Sequence, residues 1–241
     1  MREKNIKIYE ENSRMFANGL YSNSPQTISY KTSPKIKHTT TKFNVEVRNC
    51  GSFEPINEFE NCCVLNFASA VHAGGGYIRG AQAQEECLCR QSDLYEELKL
   101  QEDFYKYHNV NKSELHSDWM LYTKTVTVFR DGYYNFIEPK TCSVITAAAP
   151  RNVPGKTSFD EIEKCFYRRI EKLLTICQHH GHKNIVLGAW GCGVFRNSPE
   201  HVSRYFKEVL EHGWDFDNVI FAVYDNSKDL ENFSNFKKRF V

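Results

Sequence analysis

Four short apolar runs constrain the fold of this chain more than any other feature. They occupy Cys62–Ala68, Cys142–Ala149, Asn184–Trp190 and Asn218–Tyr224. Continuous apolar runs of this length are typical of strands that are buried on both faces. In the second half of the chain they alternate with helical patterns, which predicts an α/β fold with a mixed central sheet and helices on both of its faces.

The stretches between the apolar runs carry helix signals. Apolar residues recur at helical spacing over Phe159–Cys177, and Gly181 is well placed to end that helix. Ser198 and Pro199 form a cap and first-turn pair for a later helix. The same spacing predicts one helix over Asn5–Tyr21 and another through Leu88, Leu94 and Leu98.

Residues 1–60 are predicted to form an N-terminal helix and strand extension, packed on a core of residues 61–241 within one domain. The runs Thr27–Lys31 and Thr40–Arg48 are rich in residues that favour strands, and they predict half-buried edge strands of that extension. In the core, Asp131-Gly132 predicts a hairpin turn between the runs Thr123–Phe129 and Tyr133–Ile137. The polar stretch Asp103–Asp118 indicates helix ends and loop.

The amino-acid composition argues against several classes of function. The formal net charge is +1, from 31 Lys plus Arg and 30 Asp plus Glu, so we expect no direct binding of DNA and no membrane attachment. The nine cysteines lack paired CxxC spacing, which favours free thiols in a cytoplasmic protein. His179, His180 and His182 follow a helix and are interpreted as a solvated helix end. We expect neither a metal nor a cofactor.

Two glycine segments follow predicted buried strands. In open α/β sheets, ligands bind beyond the carboxyl ends of the strands, where Gly74–Gly76 and Gly191–Gly193 are placed. Successive backbone N–H groups in such loops form concave anion sites that suit phosphate. Neither segment matches a dinucleotide fingerprint or a P-loop, so the glycines alone predict only a site for an anionic ligand.

The residues after the first glycine segment resemble those of a known family. Gly74-Gly75-Gly76, seven further residues and Gln84-Glu85-Glu86 are similar to the signature of poly(ADP-ribose) glycohydrolases, a macrodomain-related family. The resemblance is to the microbial branch and extends over most of the chain. It includes the segments Leu65–Ala70, Leu88–Tyr95, Val128–Asp131 and Gly188–Asn197.

The resemblance implies a macrodomain-like fold that binds ADP-ribose. The two loops would enclose the diphosphate, Asn66 would hydrogen-bond the distal ribose, and Phe195 would pack against that sugar. The catalytic pair would be Glu85 and Glu86, facing the scissile ribose linkage. The implied ligand-binding set is Asn66, Gly74, Gly75, Gly76, Gln84, Gly191, Cys192, Gly193, Val194 and Phe195.

Chemistry assigns the two glutamates different roles. A glycosidic bond breaks through an oxocarbenium-like transition state, and the departing oxygen must be protonated. Neighbouring side chains on a helix point ~100° apart and cannot flank one bond as two separated carboxyls do. The two glutamates are therefore expected to have unequal roles, and the resemblance implies that Glu86 acts as general acid and base while Glu85 holds a ribose hydroxyl.

Three functions remain open from the sequence, besides an unrelated nucleotide-binding protein that uses its two glycine loops for phosphate. The first is a poly(ADP-ribose) glycohydrolase that cleaves ribose–ribose bonds and releases ADP-ribose. The second is a mono-ADP-ribosyl hydrolase that acts on protein-linked or small-molecule ADP-ribose. The third is a reader that binds ADP-ribose without cleaving it, although a reader would not need the carboxyl group of Glu86.

Overall fold

The computed structural model describes residues 1–21, 26–37 and 42–241. Its helices lie on both faces of one sheet and are numbered here in chain order. They are α1 Arg2–Ala17, α2 Gln84–Gln91, α3 Leu94–Leu98, α4 Glu102–Asn111, α5 Phe159–His179, α6 Pro199–Leu210 and α7 Glu231–Phe240. Two short 3-10 helices, Glu54–Asn57 and Tyr77–Arg79, precede β3 and α2 respectively.

Seven strands form a single mixed sheet in the order β1-β4-β5-β3-β6-β7-β2. The run from β5 to β2 is parallel, and β4 pairs antiparallel with both β5 and β1. The strands are β1 Thr27–Tyr30, β2 Asn44–Arg48, β3 Cys62–Phe67, β4 Met120–Arg130, β5 Phe136–Ala147, β6 Asn184–Leu187 and β7 Asn218–Ala222.

Strand β3 lies at the centre of the sheet and shows why apolar residues occupy both of its faces. Cys63 and Leu65 pack in one core with residues of α5 and α6. Cys62 and Val64 point the other way and pack in a second core with residues of α2, α3 and α4. Because successive side chains of a strand alternate between faces, a continuous apolar run serves two helical layers at once. The predicted α/β architecture is confirmed.

The N-terminal extension contributes to the same sheet. Strand β1 forms one edge and β2 forms the opposite edge, as the alternating pattern predicted. Both strands are partly exposed. Thr40 and Thr41 of the second predicted run lie outside the described residues. Helix α1 ends near Gly19, whose φ of +80° and N–H bond to Phe16 O close the last turn.

Three local predictions differ from the structure wholly or in part. The runs Tyr133–Ile137 and Cys142–Ala149 were predicted as separate strands, but their parts within Phe136–Ala147 belong to one long strand, β5, which is exposed in its first half and buried in its second. The polar stretch Asp103–Asp118 continues α4 as far as Asn111 and is irregular from residue 112 to residue 118, so its first part is more helical than expected. His182 is buried and bonds Tyr122 Oη at 2.8 Å, so only His179, at the end of α5, is exposed as predicted for a solvated helix end.

The predicted helix through Leu88 and Leu98 is interrupted at Ser92. The Ser92 hydroxyl donates to Leu88 O at the end of α2 and accepts the N–H of Leu94 at the start of α3. Its backbone also bridges to Val128 of β4. One small side chain therefore satisfies two helix ends while the chain changes direction.

Candidate active site

The candidate site lies where β3 and β6 end. These two strands are hydrogen-bonded neighbours and run parallel, so their carboxyl ends meet at one edge of the sheet. The first loop, Gly74–Gly76, follows β3, and the second loop, Gly191–Phe195, follows β6. The two predicted loops are thus brought to the same edge, as expected for an open α/β sheet.

Glu86 is held in the first turn of α2 by backbone donors on both sides. The N–H of Gly76 donates to Glu86 Oε1 at 2.7 Å, and the N–H of Ala83 donates to Oε2 at 2.9 Å. The residue is only 7% exposed. A carboxyl group three residues after a helix cap reaches back to the cap N–H, as in a capping box. Here that contact fixes Glu86 between the first loop and the start of α2.

Glu85 is buried more deeply than Glu86. Its Oε2 accepts the N–H of Ser69 at 2.8 Å, and its Oε1 accepts a hydrogen bond from Asn66 Nδ2 at 3.2 Å. Burial raises the pKa of Glu85 to about 8, and the nearby charge of Glu86 adds to this, whereas the two hydrogen bonds oppose it. At neutral pH, Glu85 is therefore mostly the uncharged acid.

The two carboxyl groups converge on Gly75, although neighbouring helical side chains were expected to diverge. A Cβ placed on Gly75 would lie 2.6 Å from Glu86 Oε1 and 3.0 Å from Glu85 Oε2. The backbone of Gly75 has a φ of +60°, which favours glycine. The flexible side chains bend toward the loop because backbone N–H groups of Ser69 and Gly76 bind them there.

Gln84 and Asn66, both predicted to bind ligand, have extensive contacts within the protein. The Gln84 amide accepts the N–H of Phe67 at 2.8 Å and donates to Leu65 O at 2.8 Å, so it bridges alternate residues of β3. Asn66 is fully buried, and its Nδ2 also donates to Thr146 Oγ1. These contacts tie the start of α2 to the central strand. The ligand contacts of both residues stay a prediction.

The second loop is braced by its neighbours. Gly191 has a φ of +77°, and the Asn197 side chain donates to Gly191 O at 3.0 Å and to Pro150 O at 2.8 Å. The N–H of Asn152 donates to Phe195 O at 2.9 Å. Beyond these braces the loop is open, since Val194 is 74% exposed.

The aromatic ring of Phe195 lies against two basic residues. Its centroid is 5.7 Å from that of His116 and 5.9 Å from Arg151 Cζ. Burial lowers the pKa of His116 to about 4, and the nearby cations Arg169 and Arg151 contribute, so His116 is neutral at pH 7. In the same loop, burial raises the pKa of the Cys192 thiol, which keeps it protonated.

The chain matches the model of a known family. The model of the family described as microbial-type PARG, catalytic domain, matches residues 2–131, more than half of the chain. The chain belongs to this family. It is a glycohydrolase of the PARG type, and the resemblance noted in the sequence is confirmed.

Solved PARG structures have the same fold as this PARG-family chain. Poly(ADP-ribose) glycohydrolase from Thermomonospora curvata is 30% identical, with a TM-score of 0.91, over 99% of this chain and 100% of that chain. Its complex with the inhibitor ADP-HPD is also 30% identical, with a TM-score of 0.90 and the same coverage. The Deinococcus radiodurans enzyme in complex with ADP-ribose is 34% identical, with a TM-score of 0.77, over 82% of this chain and 84% of that one. A comparison with curated proteins gave no match.

Several residues near the pair of glutamates escaped sequence reasoning. Ala83 and Ser69 act through backbone N–H groups, which no side-chain pattern reveals. Tyr105 of α4 is buried, and its Oη has no hydrogen-bond partner among the described residues. The polar residues that flank Tyr105 in the sequence gave no indication that its side chain is buried. The position of Glu86, three residues after the cap Ala83, is the one signal that could have indicated its backbone contact.

The described residues contain neither a candidate metal site nor a candidate membrane-spanning helix. Within the described ranges, no three His, Cys, Asp or Glu side chains come together as a metal group. No helix in the described part of the chain is long and apolar enough to cross a membrane.

Proposed function

We propose that this chain hydrolyses the ribose–ribose O-glycosidic bonds of poly(ADP-ribose) and releases ADP-ribose, with Glu86 as general acid and base. The observation that carries the proposal is the convergence of Glu85 and Glu86 on Gly75 of the first loop. That arrangement brings an acid group next to backbone suited to a diphosphate. Family membership supports the same reaction.

Proton transfer by Glu86 is the central step. The bond between the anomeric carbon and the leaving ribose oxygen breaks, and that oxygen takes a proton from the Glu86 carboxyl group. Positive charge that develops on the sugar is stabilised by the anionic diphosphate of the substrate. Water then attacks the anomeric carbon and returns a proton to the Glu86 carboxylate, which restores the acid.

Glu85 serves a separate role. Glu85 is mostly the neutral acid at pH 7, so it binds a hydroxyl of the scissile ribose without placing a second negative charge beside the carboxylate that Glu86 becomes when it gives up its proton. Asn66 and Gln84 position the pair, because their amides join Glu85 and the start of α2 to β3. Asn66 accepts a hydrogen bond from the distal ribose through its Oδ1, which has no partner among the described residues.

The loops bind the rest of the ADP-ribose unit. The two loops, Gly74–Gly76 and Gly191–Phe195, enclose the diphosphate. The N–H groups of Gly75, Gly76 and Cys192 already donate within the protein, so the phosphate contacts are assigned to the other N–H groups of these loops, including those of Gly193 and Val194. Phe195, supported by His116 and Arg151, packs against the distal ribose. No cofactor takes part in this scheme.

We also propose that residues 1–241 form one catalytic domain that works in the cytoplasm. Participation of β1 and β2 in the shared sheet supports the first statement. The second is supported by the cysteines, since all nine lie in described residues and are free thiols.

The test measures ADP-ribose release and ADP-ribose binding on wild type and Glu86→Gln. We expect wild type to release ADP-ribose from poly(ADP-ribose), and Glu86→Gln to lose about 10²- to 10⁴-fold in kcat while it still binds ADP-ribose. Glu200→Gln is the matched control, since Glu200 is an exposed acid in the first turn of α6. Its kcat should equal that of wild type.

Other outcomes select the alternative functions. Release from mono-ADP-ribosylated protein but not from polymer would indicate a mono-ADP-ribosyl hydrolase. Binding of ADP-ribose by wild type without release from either substrate would indicate a reader.

A further inference from the structure

A surface rim formed by residues 76–83 lies beside Glu86. It begins at Gly76 and ends at Ala83, the two residues whose N–H groups bind the Glu86 carboxylate. Its middle is the 3-10 helix Tyr77–Arg79, and the Arg79 side chain is exposed. The rim is therefore the surface segment that borders the carboxyl group from which the leaving group is proposed to take its proton.

The start of α1 packs on the rim and holds it in place. Arg2 Nε donates to Arg79 O at 3.0 Å, and Asn5 Nδ2 donates to Gly80 O at 3.1 Å. A Cβ on Gly80 would lie 2.6 Å from Arg2 O, so the two segments are in close contact. From below, Arg90 Nη1 donates to Ala81 O at 2.8 Å. These contacts bring Arg2 and Arg79 together at one surface.

Both arginines present positive charge to solvent. Arg2 and Arg79 are exposed, and within residues 1–21, 26–37 and 42–241 no carboxylate forms an ion pair with either guanidinium. The N-terminus of α1 adds positive partial charge to the same place. The whole chain is nearly neutral, with a net charge of +1. Guanidinium groups suit phosphate because their planar donors match two phosphate oxygens.

The chemistry of the polymer indicates what this charge could bind. Each unit of poly(ADP-ribose) carries a diphosphate, and the unit on the leaving side of the scissile bond holds its diphosphate a few bonds from the leaving oxygen. The two glycine loops are occupied by the distal unit. A second diphosphate therefore needs cations outside these loops, and Arg79 lies on the segment whose two ends bind the Glu86 carboxylate, with Arg2 bonded to its backbone.

From this geometry we infer that Arg2 and Arg79 form a leaving-side subsite for the diphosphate of the adjacent polymer unit. The inference rests on the proposed glycohydrolase function and deepens it. The subsite favours substrates whose leaving group carries a diphosphate over those whose leaving group has none. Neither arginine takes part in the chemical step.

The experiment compares two substrates that share the same ribose–ribose bond. One is a dimer of ADP-ribose units, and the other is the same dimer shortened to adenosine on the leaving side, which removes that diphosphate. Wild type should cleave the full dimer with a kcat/KM about three- to tenfold higher, since the arginines are exposed and screened. In Arg2→Gln/Arg79→Gln this ratio should fall to about one, through a higher KM for the full dimer.

Controls separate binding from folding. Because Arg2 also bonds the rim, any loss on the shortened dimer in the double variant should be smaller than the loss on the full dimer. Lys7→Gln, an exposed lysine of α1, should keep the wild-type ratio. Added salt should reduce the preference of wild type and leave the double variant unaffected. A wild type without preference, a double variant that keeps it, or equal loss on both substrates would overturn the subsite. If wild type cleaves neither dimer, the proposed function fails as well.

Discussion

A Cβ added at Gly75 in the first loop would lie 2.6 Å from Glu86 Oε1, whereas one added at Gly193 in the second loop would meet no atom within 4 Å. The first loop is packed against the two acid groups and the rim. The second loop is braced at its ends by Asn197 and Asn152 but open at its middle. The difference indicates that the two loops have separate roles. The first loop positions the carboxyl groups for proton transfer, and the second adapts to the ligand.

The largest expected effect contrasts the two glycines directly. Gly75→Ala should lower kcat/KM by about 100-fold or more, because the methyl group displaces Glu86 and Glu85 and the backbone φ of +60° disfavours alanine. Gly193→Ala should stay within about threefold of wild type. Steady-state kinetics on the polymer measure both. Similar losses at the two positions would remove the contrast between the loops.

The second prediction concerns the burial of Glu85 behind the first loop. Its pKa is about 8 in the folded protein and ordinarily 4.5, so unfolding releases a proton between these pH values. The free energy of unfolding should therefore fall as pH rises through this window, by about 1.4 kcal/mol per pH unit. Glu85→Gln should lack this slope.

Thermal unfolding at several pH values measures the effect of Glu85. The Tm of Glu85→Gln relative to wild type should increase from pH 5 to pH 8, by about 2–4 °C per kcal/mol. Above pH 8 the difference should level off, since Glu85 is then ionised in both states. A constant Tm difference across this range would contradict the raised pKa of Glu85.

A smaller effect is expected where the second loop is braced. Asn197→Ala removes the hydrogen bonds to Gly191 O and Pro150 O and should cost about 1–2 kcal/mol of unfolding free energy. The dissociation constant for ADP-ribose should also increase, because the loop loses its support. Asn235→Ala, whose amide donates to Glu231 O within α7, is the control and should change neither. Denaturant titration and calorimetry provide the two readouts.

The smallest effect is expected at the open middle of the second loop. Val194 is 74% exposed, so Val194→Ala should change the unfolding free energy by less than about 0.5 kcal/mol. Any effect should appear in the KM for the polymer, because the side chain faces solvent where the ligand is proposed to bind. A marked loss of stability would mean that the second loop is packed like the first.

Particular residues show how far the sequence predicts this structure. The central strand β3 and both edge strands were recognisable, because burial on two faces and burial on one face leave different apolar patterns. Strand β5 was not recognised as one element, since its first half is exposed and its second half buried. The break at Ser92 depends on a hydroxyl that bonds two helix ends, which helical spacing cannot reveal.

The sequence by itself determined the family, the two glycine loops and the acid pair, because these depend on residue types at fixed spacing. Only the tertiary structure decided that Glu85 and Glu86 converge on Gly75, that Gln84 bridges β3, and that Arg2 lies beside Arg79. Each of these contacts uses backbone groups of a segment distant along the chain or turned back on itself. Backbone donors and acceptors are the same in every residue, so only the folded chain specifies which of them meet.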